Sequence, residues 1–236
     1  MALENIPEVS LRYVKNVSEF GTPDMIILPG TKNTMGDLKW IRESGLEACI
    51  LKASATGTPI WGICGGYQML GEVLSDPDKV EDGGMIHGMG LLPSETVFTG
   101  KKTRTRVNGT FAHVEGIFSE LSNVAFEGYE IHMGETTYVE EVISKEHMSR
   151  IQDTVKISED GISDGNVYGT YIHGVFDMEG VTDVIVKALA KKKGITLEKA
   201  SGMDLKSFKE EQYDKLADGI RSHLDMERIY EIMKEN

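Results

Sequence analysis

The feature that most constrains this chain is the stretch Thr58-Pro-Ile-Trp-Gly-Ile-Cys64-Gly-Gly-Tyr-Gln-Met-Leu-Gly71. Ile60 to Ile63 is an apolar run short enough for a buried strand, and Tyr67 to Leu74 are mostly good helix formers. The stretch predicts a strand, a sharp turn and a helix, with Cys64 at the turn. Gly62-Ile-Cys64-Gly-Gly66 has the form of a nucleophile elbow with cysteine in place of serine. Small residues two before and two after the nucleophile let strand and helix come close, while the strained turn lifts the side chain out of the sheet. A helix start beside the thiol favours thiolate and offers backbone N–H groups to an oxyanion. The alternative for Cys64 is the ordinary fate of an isolated cysteine, a small buried hydrophobe. That fate is expected for Cys49, on the apolar face of Leu46, Cys49 and Ile50.

The rest of the chain supplies a sheet for the elbow. Val9 to Val14 reads as a strand with Val9, Leu11 and Tyr13 on one side of the pleat. After the turn cluster Gly21-Thr-Pro-Asp24, Met25 to Leu28 is a continuous apolar run of the kind covered on both faces of a parallel sheet, and Pro29-Gly30 ends it. Thr34 and Asp37 have capping-box-like spacing, and Leu38, Ile41, Leu46 and Ile50 form a helical stripe interrupted near Gly45. Strand, strand, helix, strand, helix predicts a doubly wound α/β sheet, in which ligands bind outside the carboxyl ends of the strands. Gly30 and Cys64 follow successive strands, so their loops open on one crevice. Pro29-Gly30 is either a plain turn or a means of bringing the Gly30 N–H to a developing oxyanion, with the Gly65 N–H as second donor.

Beyond a polar, Gly-rich surface loop from Asp76 to Gly84, the pattern turns to short strands: Leu91 to Phe98, Arg104 to Val107, Ala125 to His132 and Thr136 to Val139. Arg104 and Arg106 alternate with threonines and read as a solvated face. Residues 140 to 165 carry little regular structure apart from a strand at Val155 to Ile157. Asn166 to Ile172 is β-rich and ends on His173-Gly174. Helices follow at Thr182 to Lys193, with lysines in the last turn and Gly194 at the stop, and at Leu205 to Met233, broken at Gly219. No repeat, low-complexity tract or linker divides the chain, which reads as one domain.

A cysteine attacking an amide needs a neighbour to take its proton and return it to the leaving ammonia, and histidine is the usual choice. His87, His113 and His147 lie in Gly-rich or polar loops and His223 on the terminal helix, all surface positions. His132, in Gly128-Tyr-Glu-Ile-His-Met-Gly134, and His173, in Gly169-Thr-Tyr-Ile-His-Gly174, both sit where an apolar strand meets a glycine. The residues by themselves leave the two open.

Composition narrows the partners. With 38 acidic against 25 basic residues the net charge is −13, which argues against nucleic acid or an anionic membrane surface. No apolar run reaches the roughly 18 to 20 residues needed to span a bilayer, and Met1-Ala-Leu-Glu-Asn lacks the charged and apolar regions of a signal peptide. The expected compartment is the cytoplasm, where two cysteines in such different contexts remain thiols.

Gly62-Ile-Cys64-Gly-Gly-Tyr-Gln68-Met-Leu, Leu28-Pro-Gly30-Thr-Lys-Asn33-Thr and Tyr171-Ile-His173-Gly together resemble the class I glutamine amidotransferase domain of the cobyric acid synthases. The resemblance runs from about Val9 to the C-terminal helix. It implies a flavodoxin-like, mostly parallel sheet with additional antiparallel strands, and a glutaminase that supplies ammonia for ATP-dependent amidation of corrinoid carboxylates in cobalamin biosynthesis. It implies Cys64 as nucleophile, His173 as its base, Gly30 and Gly65 as oxyanion donors, and Gln68 and His132 beside the substrate L-glutamine. Gln68, one helical turn after Cys64, could instead simply pack there, and His132 could be a hydrogen-bonded strand-end residue. Many class I enzymes complete a triad with a Glu two residues after the His. Here that position is Val175, a departure the cobyric acid synthases share, which leaves a Cys-His dyad and Asp177 as an unassigned neighbour. The resemblance also implies a partner domain or subunit that binds ATP and Mg²⁺ and holds the corrinoid. No Gly-x-x-x-x-Gly-Lys-Ser/Thr occurs here, no cofactor or metal is expected in this domain, and the family's first strand has no counterpart ahead of Val9. Related readings are the amidotransferase of cobyrinic acid a,c-diamide synthase or of cell-wall precursor amidation, and an inactive binding module of the same fold.

Overall fold

A computed structural model describes residues 2–138, 147–152, 157–197 and 205–234. Its strands are β1 (Ile26–Leu28), β2 (Ile60–Ile63), β3 (Val73–Asp76), β4 (Gly84–His87), β5 (Ser94–Phe111), β6 (Ala125–Tyr138), β7 (Ser149–Gln152), β8 (Ile157–Asp160), β9 (Ile162–Asp164), β10 (Val167–Thr170) and β11 (Ile172–His173). The helices are α1 (Val17–Phe20), α2 (Thr34–Glu43), α3 (Leu46–Ala55), α4 (Gly65–Leu70), α5 (Glu179–Lys192), α6 (Leu205–His223) and α7 (Met226–Lys234). Two sheets meet in this α/β fold. The first runs β1-β2-β10-β9, with β1, β2 and β10 parallel and β9 antiparallel. The second, mostly antiparallel, runs β11-β6-β5-β3-β4, with β7 on β5 and β8 on β7.

The elbow strand β2 is buried along its whole length. On it Trp61 stacks on Tyr168 at 5.1 Å and meets Phe176 edge-on at 5.1 Å, so the aromatic core lies directly beneath the turn that carries Cys64. Helix α4 comes so close that a Cβ on Gly66 would lie 2.1 Å from the Leu28 carbonyl oxygen. Only glycine permits this approach. The register pairs Leu28 with Gly62 and Ile63 with Thr170, so Gly30 and Cys64 leave the sheet at the same height.

Several boundaries differ from the sequence reading. Val9 to Val14 forms no ladder, and Tyr13 is 73% exposed with its hydroxyl on Glu4. Among the described residues β1 is the edge of the parallel sheet, and the segment has no neighbour to pair with. In β1 itself only Leu28 is fully buried, as suits an edge. Asn33, not Thr34, caps α2, its Oδ1 accepting from the Gly36 N–H at 2.7 Å, and the stripe's interruption at Gly45 separates α2 from α3. Cys49 is half-buried. Helix α4 ends at Leu70, and Leu74 belongs to β3.

The four short strands expected between Leu91 and Val139 are two long ones, Val139 itself lying outside the described residues. The glycine interruptions are absorbed as a bulge in which residues 98–101 of β5 face only Gly134 of β6. The region 140–165, expected to be irregular, contributes β7, β8 and β9, while residues 139–146 and 153–156 lie outside the described residues, with most of the strand expected at Val155 to Ile157. The terminal helix breaks at Leu224 and Asp225 rather than Gly219: the Asp225 Oδ1 accepts from the Arg228 N–H at 3.0 Å and starts α7.

Candidate active site

Cys64 occupies the elbow at φ 51°, ψ −110°, left-handed backbone that costs a non-glycine residue about 1–3 kcal/mol and persists only where the surroundings impose it. Its N–H donates to the Thr170 carbonyl at 2.8 Å, which ties the strained residue to β10. The sequence reading has the turn lift the side chain out of the sheet, with the helix start favouring thiolate. Instead the residue is 7% exposed, and its Sγ donates to the Ile131 carbonyl at 3.3 Å. Burial pushes the thiol up to about 11. The Gly65 N–H facing the sulfur pulls the other way, and the carboxylates of Asp160, Glu130 and Glu81 add to the rise. Desolvation therefore outweighs the short helix beside it.

His173 reaches the same point from the other sheet. The chain crosses at Tyr171 from β10 to β11, where His173 pairs with Tyr129 of β6 and stacks ring on ring with it at 5.0 Å and 3°. Burial holds the imidazole below its ordinary value, a hydrogen bond to the Ile131 carbonyl opposes this, and His132 adds to the lowering. The resting pair is thus a neutral thiol and a neutral imidazole on one carbonyl oxygen. Gly30 lies between them: a Cβ there would sit 2.6 Å from His173 Cε1 and 3.4 Å from Cys64 Cβ.

Cys64, His173, Gly30 and Gly65 thus meet at one place. Gln68 and His132 lie one layer away, around Tyr171. Gln68 is 3% exposed, and both ends of its amide have protein partners: Oε1 accepts from Thr34 Oγ1 at 3.1 Å, while Nε2 donates to the Tyr171 hydroxyl at 3.1 Å and the Met133 carbonyl at 3.3 Å. His132 stacks on Tyr171 at 3.8 Å, with Nδ1 3.0 Å from the Gly134 carbonyl and Nε2 2.7 Å from Glu130. A pocket of about 240 Å³ opens on this side, walled by Glu130, His132, Thr136, Asp160 and Tyr171 among others, and Cys64 is not in its lining.

Sequence reasoning missed three members. The Ile131 carbonyl lies beside both the Cys64 thiol and the His173 ring, while Val175, two residues after the histidine, is buried in the core at 1%. A backbone acceptor leaves no side-chain signal. Tyr171 lay in plain view within Gly169-Thr-Tyr-Ile-His-Gly174, two residues before His173. Asp160 came from a segment without a readable pattern. It is buried, accepts from Thr170 Oγ1 and from the Tyr171 N–H at 3.1 Å, and burial pushes its carboxyl up to about 6. Among the described residues no group of three or more His, Cys, Asp or Glu is placed to hold a metal ion.

Residues 1–181 match the model of the CobB/CobQ-like glutamine amidotransferase domain. The chain belongs to this family. The family match stops shortly after α5 begins, so α6 and α7 lie beyond it. Full-length relatives cover them. The chain is 55% identical over 238 residues to the cobyric acid synthase of Ruminiclostridium cellulolyticum, across 99% of this chain and 46% of that protein. It is 54% identical to that of Lachnoclostridium phytofermentans, across 99% of this chain and 47% of that protein. The chain thus spans about half the length of the curated relatives it matches. Among solved structures, PurLQS from Thermotoga maritima superposes with a TM-score of 0.56 at 21% identity, over 80% of this chain and 87% of that one. A crystal structure of a glutamine amidotransferase gives 0.53 at 17%, over 80% and 90%. These two likenesses establish the fold, the mostly parallel class I glutamine amidotransferase sheet.

Proposed function

We propose that the 236 residues form one glutaminase domain of a cobyric acid synthase, hydrolysing L-glutamine to glutamate and ammonia. The observation that carries this reading is Gly30 wedged between Cys64 and His173, a Cβ there falling 2.6 Å from the imidazole Cε1 and 3.4 Å from Cys64 Cβ. In the reaction His173, neutral at rest, takes the thiol proton as the sulfur bonds to the side-chain amide carbon of glutamine. The carbonyl π pair moves to oxygen, where the N–H groups of Gly30 and Gly65 receive the oxyanion. Collapse of the tetrahedral species expels the amide nitrogen, which leaves as ammonia with the proton from His173. Water, deprotonated by the same imidazole, then cleaves the glutamyl thioester. The thiol raised by burial fits a nucleophile that gives up its proton to His173 only as the sulfur attacks. Gln68 and His132 shape the glutamine side of the site through Tyr171. ATP and Mg²⁺ would be used by the partner synthetase domain or subunit that binds the corrinoid and consumes the ammonia, in the cytoplasm, whose reducing conditions keep Cys64 a thiol.

A second reading is an inactive binding module of the same fold. The observation favouring it is that the resting thiol is buried, pushed up to about 11 and already hydrogen-bonded. Ammonia release from L-glutamine by the chain, with Cys64→Ala and His173→Ala beside it, separates the two. Glutaminase predicts turnover lost by about 10²-fold or more in each variant. Absence of turnover together with absence of labelling of Cys64 by a glutamine-analogue electrophile overturns it in favour of the binding module.

A further inference from the structure

The loop between β3 and β4 reads in sequence as polar surface, yet it is wound on a buried carboxylate. Asp76, fully buried, accepts from the N–H groups of Val80 at 2.7 Å and of Glu81 and Gly83 at 2.8 Å. The loop so fixed turns Glu81 onto the start of α2, 47 residues away in sequence. One Glu81 oxygen accepts from the Thr34 N–H at 3.0 Å and the other from the Met35 N–H at 2.9 Å. Asn33 Oδ1 takes the next amide, Gly36, at 2.7 Å, and Asp82 holds Asn33 Nδ2 and Lys39 Nζ, each at 2.9 Å. The first three amides of α2, orphans of helix geometry, are therefore all engaged, two of them by a charge from another loop.

What this clamp holds is the chain that runs from Gly30 to Thr34. On its inner side Thr31 lies against the elbow, where a Cβ on Gly65 would be 2.7 Å from Thr31 Oγ1, and Thr34 Oγ1 donates to Gln68 on α4. On its outer side is the Glu81 carboxylate. Gly30, between Cys64 and His173, is thus suspended between two fixed points.

Building on the glutaminase reading, we propose that Glu81 is a positioning residue: its bidentate grip on Thr34 and Met35 sets the Gly30 N–H relative to Cys64. Such a residue acts on the transition state and not on substrate affinity, because the oxyanion forms only during the reaction. In Glu81→Gln one acceptor and the charge are lost while size is kept. Expected is a fall of about tenfold in kcat per Cys64 labelled by a glutamine-analogue electrophile, with KM for glutamine unchanged within about twofold, and a larger fall in Glu81→Ala. A merely structural role would lower the labelled fraction and the melting temperature while leaving kcat per labelled site at the wild-type value. That result would overturn the proposal. Asp78→Asn, exposed on the same loop, controls for loop charge.

Amide hydrogen exchange read by mass spectrometry supplies a test independent of turnover. Faster exchange at 31–36 in Glu81→Gln, with β2 and α5 unchanged, is expected. Unchanged exchange at 31–36 overturns the clamp whatever the kinetics. Wild-type chain that neither turns over nor labels would sink the glutaminase reading, while the exchange result still decides whether Glu81 holds the loop.

Discussion

Cys64 and His173 stand on different kinds of structure. The thiol is fixed by backbone: a fully buried parallel strand, a left-handed turn and a helix packed so close that Gly66 has no room for a methyl. The imidazole is fixed by side-chain contact: a two-residue strand, a stack on the 47%-exposed ring of Tyr129, and a hydrogen bond to the Ile131 carbonyl. One half is rigid because sterics leave it no alternative. The other is placed by contacts each of modest strength, about 0.5–1.5 kcal/mol for an aromatic stack. A site built this way keeps its nucleophile constant while its base answers to whatever touches the antiparallel sheet.

Two glycine substitutions break the comparison most sharply. Gly66→Ala drives a methyl to 2.1 Å from a backbone carbonyl, which cannot rotate aside, so the expected loss is about 3 kcal/mol of stability, read from the urea midpoint. Gly30→Ala drives its methyl to 2.6 Å from His173 Cε1, the end of a ring that can swing. Stability should change by less than about 1 kcal/mol while kcat for glutamine falls by about 10²-fold. Equal losses of stability in the two variants would erase the distinction between the halves.

The elbow half was legible in the sequence because its constraints are local. Gly62, Cys64, Gly65 and Gly66 fall within one five-residue stretch, and the run from Ile60 to Ile63 announces burial without help from distant residues. The imidazole half was legible only at His173, with Tyr171 quoted in its motif but given no role. Its other parts come from β6 and β8, brought in by pairings of high sequence separation. Asp160 faces Thr170 only because β8 follows β7 back along the antiparallel sheet, and the short strand read at Val155 to Ile157 stops before Asp160. Val9 to Val14 failed in the opposite way, since its alternation is real but a strand also needs a neighbour. The capping signal at the start of α2 pointed to Thr34 and Asp37, while Asn33 and the remote Glu81 fill the role.

The two halves should also part company with pH. In a Cys49→Ser background, alkylation of Cys64 in the folded chain is expected to climb towards a midpoint near 11. A midpoint near the ordinary value of about 8.5 would mean the thiol is not desolvated in solution. The sign for stability follows. A thiol raised in the folded state contributes stability fully below its unfolded value, and that stability is lost as pH rises through about 11. His173 has the opposite displacement with the same cause, so uncovering it should raise it. Tyr129→Ala is expected to cost about 1 kcal/mol of stability and to move the acidic limb of the kcat/KM profile to higher pH. An unmoved limb would show that the stack does not shield the ring.

The burial of Cys64 has a consequence outside turnover. Peroxide attacks the thiolate, the first rung towards sulfenic and then irreversible sulfinic acid. A thiol held near 11 is ionised in only about one molecule in 10⁴ at pH 7, against a few per cent for an ordinary exposed cysteine. Between substrates, the desolvation that makes Cys64 a reluctant nucleophile makes it equally poor prey for oxidants.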